Sequence, residues 1–238
     1  MKRNLIVAAT ACVAVVALIG AGGYIYFFSG LRTSPATLGL SSSTPSTAPG
    51  SPSATGLTGK WNIASGSLVG YRVQELFAGE SSKHLAVART SDVTGSLTIS
   101  GDSNGYTVSG IALTANLTSL HSVDQVAGRN VSQRDGIVTR QLAVQQFPNA
   151  TFTATSTSVP GSLSSAQVDV SAPGKLTIHG VSKDVTAAAK AQVVGDKVEI
   201  AGTLTVNMTD YGVSPPQAPF VTVDPTATIE FDIFLTKT

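Results

Sequence analysis

The chain has 238 residues, but its first quarter does not read as part of a core, which leaves about 180 residues for one domain of ordinary size. Charged residues make up only 12% of it, and from Gly59 onward 12 Lys and Arg face 14 Asp and Glu, a formal balance of 12 − 14 = −2. That argues against a nucleic-acid partner, whose binding relies on clustered cations. The abundance of Thr, Ser, Val, Ala and Gly favours half-buried strands over surface helices.

After Met1-Lys2-Arg3-Asn4 the sequence runs uncharged from Leu5 to Phe28. About 24 residues in a helix extend roughly 36 Å, enough to span a bilayer with some tilt. The two leading cations place the N-terminus on the cytoplasmic side and everything after Phe28 outside, and Tyr24, Tyr26, Phe27 and Phe28 suit the headgroup level at the exit. A cleaved signal peptide is the competing reading, although its apolar region is usually shorter and ends at a small-residue site. Cys12, the only cysteine, lies inside the run, so no intramolecular disulfide can form. Val13 to Ile19 continue the apolar stretch beyond it, unlike the arrangement around an acylated lipoprotein cysteine.

Ser29 to Thr58 is dominated by Ser, Thr, Pro, Gly and Ala, with few large apolar residues and one charge, Arg32. Such a segment buries too little apolar surface to offset its ordering entropy and is expected to be a flexible stalk. The expected division is therefore a cytoplasmic tip and transmembrane helix at 1–28, a linker at 29–58 and a β domain at 59–238. Four Asn-x-Ser/Thr triplets, at Asn116, Asn130, Asn149 and Asn207, read as chance matches in a chain this rich in Ser and Thr.

Beyond Gly59 the dominant period is two. Val69, Tyr71 and Val73 alternate with Gly70, Arg72 and Gln74; Leu97 and Ile99 share a face, as do Leu176 and Ile178. The same holds for Leu204, Val206 and Met208, and for Ile229, Phe231, Ile233 and Leu235, with Thr228, Glu230 and Asp232 on the opposite, wet face. Turn signals separate the runs at Gly101–Gly105, Val159-Pro160-Gly161, Ala172-Pro173-Gly174 and Gly195-Asp196. A single antiparallel sheet of about eight strands with one apolar face, and no helices to cover it, must close on itself.

Between His121 and Phe147 the alternation stops, and Val131, Arg134, Ile137, Val138 and Leu142 recur at helical spacing. The spacing predicts a helix over about 132–143, ended before Phe147-Pro148. His84, His121 and His179 show no zinc-binding spacing, and no Gly-x-Ser-x-Gly elbow supplies a nucleophile, so no metal, cofactor or catalytic residue is expected. His179 is expected to top a hairpin, and His121 and Asp124 fall close enough to interact. Arg72, Arg89, Arg129 and Arg134 are the candidates for holding a polar head group, each more simply read as a structural arginine.

Three stretches resemble the YceI-like family. Lys175 to Thr186, reading KLTIHGVSKDVT, is similar to its "G-x-L-T-I-x-G-V" strand-turn-strand run; Arg134-Asp135 and Phe147-Pro148-Asn149-Ala150-Thr151-Phe152 are similar to its "R-D" and "F-P-x-A-T-F" elements. Val206 to Val213 resembles its "R-x-x-F-G-I" turn, with Asn207 or Met208 where the family usually has a charge. The order and spacing of the three cover the whole predicted domain. The resemblance implies a bacterial, extended, lipocalin-like antiparallel barrel whose interior holds a long isoprenoid, quinone or other amphipathic lipid, with Phe152 joining the alternating apolar residues on the tunnel wall.

Two functions are then open. The first is a non-enzymatic lipid binder or carrier at the outer side of the cell membrane, tethered by its N-terminal helix. The second is a protein-interaction domain displayed on a stalk, its barrel solidly packed and empty of lipid. A homodimer is compatible with either. A continuous interior cavity of several hundred Å³ distinguishes the first from the second.

Overall fold

A computed structural model describes residues 32–41 and 56–238. The apolar run, Cys12 and residues 29–31 and 42–55 of the predicted linker lie outside them. Among the described residues no helix is long and apolar enough to cross a membrane.

The domain is built from strands β2 (Gly59–Ile63), β3 (Leu68–Phe77), β4 (His84–Thr90), β5 (Val93–Asp102), β6 (Gly105–Asn116), β9 (Asn149–Pro160), β10 (Val168–Ile178), β11 (Val181–Val194), β12 (Lys197–Asn207) and β14 (Val221–Lys237). Short pieces β1 (Arg32–Thr33), β7 (His121–Ser122), β8 (Gln125–Val126) and β13 (Gln217–Ala218) complete the set, with one helix, α1 (Ser132–Gln141). Around the barrel the order is β2, β5, β6, β9, β10, β11, β12 and β14, and Trp61–Ile63 of β2 pairs with Leu235–Lys237 of β14 to close the circle. Every pairing is antiparallel. β3 continues β2 along the same side of β14, with β4 on its outer edge, so the β3–β4 hairpin lengthens the wall toward one end. That end also carries α1, β7, β8, the β10–β11 turn and the 3-10 turns Leu117–Ser119 and Met208–Tyr211.

The helix follows the sequence expectation, ending at Gln141 with Leu142 as its cap. Three of the four turns do as well: Asn104 donates its N–H to Asp102 across the β5–β6 turn, Gly161 opens a 3-10 turn, and Gly195 joins β11 to β12 with φ +64°. The fourth does not. Ala172-Pro173-Gly174 lies inside β10, with Pro173 opposite Thr186 of β11. On the other side the β9 ladder covers only Lys175–Thr177, so Pro173 lies beyond its end, an edge-like position that tolerates a missing N–H.

A second difference concerns the outer wall. Thr228, Glu230 and Asp232 alternate with the inward residues as expected, but the surface there is not wet: Glu230 and Glu199 are both 0% exposed. Residues 32–41 cover it, running extended from the β3–β4 hairpin across β14 to β12 and β11. Arg72 donates to Pro35 O (2.7 Å) and Arg89 to Ala36 O (2.6 Å), while Leu38 N donates to Glu230 (3.0 Å). Ser41 then donates both N–H and hydroxyl to Glu199, each at 2.7 Å, and receives Gln192 on its carbonyl (3.0 Å). A segment too poor in large apolar residues to form a core is held by its backbone, whose polar groups meet charged partners in a dry setting, where such hydrogen bonds are strongest.

Candidate functional site

The alternation of the strands builds the site. Inward residues leave a cavity of about 310 Å³ running through the barrel, lined almost entirely by apolar side chains. Every residue assigned from sequence to the inner face lies on its wall: Val69, Tyr71 and Val73 of β3; Leu97 and Ile99 of β5; Phe152 of β9; Leu176 and Ile178 of β10. Leu204 and Val206 of β12, Met208 just after it, and Ile229, Phe231 and Ile233 of β14 complete that set. The helix α1 adds to the wall Arg134, one of the candidate arginines, together with Ile137, Val138 and Gln141, which sequence reading did not assign to it.

The two ends differ. At the end away from the helix, Trp61 (3% exposed) donates its indole N–H to Leu57 O (2.8 Å) and packs in a buried apolar cluster with Tyr106, Val159 and Leu163. At the helical end the wall turns polar. Arg134 reaches in from α1 and grips Asp124 with both guanidinium ends (2.7 and 3.1 Å) and Glu75 with one (2.6 Å). Asp124 also receives His84 (2.7 Å) and the Val87 N–H (3.0 Å). Burial alone would raise the Asp124 carboxyl; the hydrogen bonds from His84 and Arg134 outweigh it and hold the group at about 2. The Tyr71 hydroxyl, on the inner face beside this cluster, is pushed above its ordinary value, chiefly by burial.

Glu75, His84 and Asp124 present one ligand atom each within 4.8 Å of one another, a metal-like grouping invisible in the sequence because its members come from β3, β4 and the loop before β8. The geometry is nevertheless that of a filled site, since Arg134 supplies the positive charge both carboxylates face. Of the other candidate arginines, Arg72 and Arg89 lie on the outer wall against Glu230, and Arg129 sits 3.9 Å over the Phe77 ring with Glu80 at 3.3 Å. His121 bonds Ser119 O rather than Asp124. His179 does top the β10–β11 hairpin, at φ +53°.

The signature residues prove to be spatial partners. A Cβ on Gly174 would lie 2.7 Å from the Phe152 ring and one on Gly180, at φ +75°, would lie 2.6 Å from Phe147, so each glycine of the strand-turn-strand run makes room for a phenylalanine of the "F-P-x-A-T-F" element. Arg134 ties α1 to the barrel through Asp124 and Glu75, and the adjacent Asp135 does so through the N–H and hydroxyl of Ser122 (2.9 and 2.7 Å). In the "R-x-x-F-G-I"-like turn, Met208 faces the cavity and Asn207 is exposed. Three of the sequon asparagines shape the backbone around them, since Asn116, Asn130 and Asn207 each accept the N–H and hydroxyl of the Ser or Thr two residues on. That is the local turn these residue types favour.

An antiparallel barrel of eight strands, closed on itself around an apolar interior and flanked by one short helix, is of the lipocalin-like class. Residues 61–235 match the YceI-like domain, and the chain belongs to the YceI-like family. Among solved structures it is similar to a polyisoprenoid-binding domain from Saccharophagus degradans implicated in plant cell wall breakdown, with a TM-score of 0.51 and 14% identity over 76% of this chain and 99% of that one. It is also similar to BcnA of Burkholderia cenocepacia (TM-score 0.45, 15% identity, 69% and 95% covered) and to the YceI protein of Campylobacter jejuni (0.41, 17%, 67% and 92%). No curated protein matches it in sequence.

Proposed function

We propose that the barrel binds an isoprenoid or similar amphipathic lipid in its interior, without catalysis, at the outer side of a bacterial cytoplasmic membrane to which the N-terminal apolar run tethers it. The apolar cavity carries this reading: its volume, about 310 Å³, lies within the range of small-molecule sites. A solidly packed display domain would lack it. The structural likeness to a polyisoprenoid-binding domain supports the same class of ligand. Burying a methylene contributes about 0.8 kcal/mol, so about ten of them give roughly 8 kcal/mol, the scale of a micromolar Kd. An apolar tail alone therefore suffices, and one polar contact is enough to set its direction.

That contact is at the helical end, with Tyr71 as the polar group offered to the ligand. Arg134 is already matched by two carboxylates, and Met208 brings no charge, so the wall favours an uncharged head such as a quinone or prenol over a phosphate. Native mass spectrometry and solvent extraction of the full chain purified from a bacterial host test the proposal. A bound, extractable neutral amphiphile is expected. A barrel that emerges empty and takes up no prenol or quinone from loaded vesicles overturns it.

A further inference from the structure

The path of residues 32–41 fixes where the chain enters the barrel. Arg32 forms an ion pair with Glu80 and donates to Ser82 (3.3 Å), and β1 pairs with β8, all on the helical end. From there the strap runs away along the outer wall to Ser41. The point at which the preceding chain must reach the domain is therefore Arg32 rather than Gly59.

The same loop holds a second feature. Ala78 N donates to Phe220 O (3.0 Å), two residues from the Glu80 that receives Arg32. Phe220 is 55% exposed and is the exposed large hydrophobic side chain among the described residues. A single exposed phenylalanine is ordinary on a soluble surface. Beside the point of chain entry it gains a natural occupant, because the apolar run ends at Phe28 and only Ser29, Gly30 and Leu31 separate it from Arg32. Three residues span at most about 10 Å. A bilayer holding the run is thus kept close to Arg32 and to the β3–β4 loop that bonds Phe220.

We infer that the barrel docks on the lipid surface with its helical, polar end down, Phe220 entering the interface and the strap acting as the brace that sets this orientation. The inference rests on reading Leu5–Phe28 as a membrane span. The occupant of the Phe220 patch is the lipid bilayer itself, at the depth where aromatic rings are favoured. The end of the tunnel bearing Tyr71 and Arg134 then faces the source of its ligand, and the strap replaces a long tether, which would leave the orientation free, with a three-residue one.

Replacing the lone cysteine by Cys12→Ser gives a background for labelling the full chain in phosphatidylethanolamine–phosphatidylglycerol vesicles. A fluorophore is placed on Ala78→Cys, at the helical end, or on Asn104→Cys, in the β5–β6 turn at the opposite end. Flotation with the vesicles reports the anchor, and quenching by nitroxide-headgroup lipid reports orientation. Quenching several-fold stronger at position 78 than at 104 is expected, with Phe220→Ser weakening it at 78 while flotation persists. Equal quenching at the two positions in a chain that floats overturns the docking but leaves the anchor standing. A chain that does not float removes the anchor, and the docking with it. Unchanged quenching in Phe220→Ser overturns the role of that side chain.

Discussion

The inner and outer faces of β3, β12 and β14 are made by alternate residues of the same strands, yet they are buried in opposite ways. Inside, Val69, Val206 and Ile229 line a space left partly unfilled; outside, Arg72, Glu199 and Glu230 are packed under a polar strap with nearly every atom paired. Apolar groups tolerate a vacancy at the cost of lost dispersion contacts, whereas buried charges tolerate none. The difference separates the two faces, in that the inner one leaves an apolar space and the outer one holds the strap in register.

Breaking the outer face should therefore have the largest effect on stability. Glu230 accepts Arg72 (3.1 Å), Arg89 (2.8 Å) and the Leu38 N–H (3.0 Å) while fully buried. Glu230→Ala leaves two guanidinium groups under the strap without a carboxylate, a change that costs about 3–5 kcal/mol. Urea unfolding should show it as a large drop in midpoint, and limited proteolysis should show cleavage within residues 32–41 that the parent resists.

Protonation should shift the two faces in opposite directions. Asp232, on the outer wall, is raised from 3.8 to about 6, first by burial and then by the neighbouring Glu199, and one of its oxygens has no partner. The fold favours its protonated form, so this contribution is present below about 3.8 and is lost as pH rises through about 6. Asp124, at the tunnel's polar end, is held down at about 2, so its contribution is present above 3.8 and is lost as pH falls toward 2. Asp232→Asn, which supplies a permanent donor toward Glu199, should raise Tm at pH 7 by a few degrees and flatten the decline of Tm between pH 4 and 6. The acid limb set by Asp124 should stay where it is. A Tm profile unaltered by Asp232→Asn would show that the strap region is hydrated rather than dry.

How much of this is legible in the sequence also divides along the two faces. The inner face can be read because its signal is local: a strand with one dry side repeats every two residues, and Ile229, Phe231 and Ile233 display it without reference to any partner. The outer face cannot. Glu230 reads as solvent-facing until Leu38, 192 residues away, is laid over it, and Arg72 reads as a surface arginine until Pro35 meets it. Composition marks the strap by its scarcity of large apolar side chains, but the interactions that hold it rely largely on backbone groups, which every sequence possesses. The Glu75–Asp124–Arg134 cluster is hidden for the same reason, its members lying on separate elements, although Arg134 itself stands out as a candidate. Ala172-Pro173-Gly174 reads as a turn because Pro and Gly are strong turn formers, whereas here β9 simply leaves that edge of β10 unpaired.

The smallest expected change in stability is also the one that discriminates most sharply between the faces. Val206 is 8% exposed, and its side chain lies on the cavity wall. Forcing a larger side chain into a filled core typically costs about 1–3 kcal/mol, because neighbours must leave their rotamers. In a barrel with room inside, Val206→Trp grows into the vacancy instead, and the stability should change by less than about 1 kcal/mol. Glu230→Ala then serves as the contrast, unstable but with an unobstructed tunnel. If the cavity is the binding site, Val206→Trp should fold normally and carry no extractable lipid. A variant that folds and still retains its lipid would show that the ligand lies elsewhere than the part of the cavity that Val206 lines.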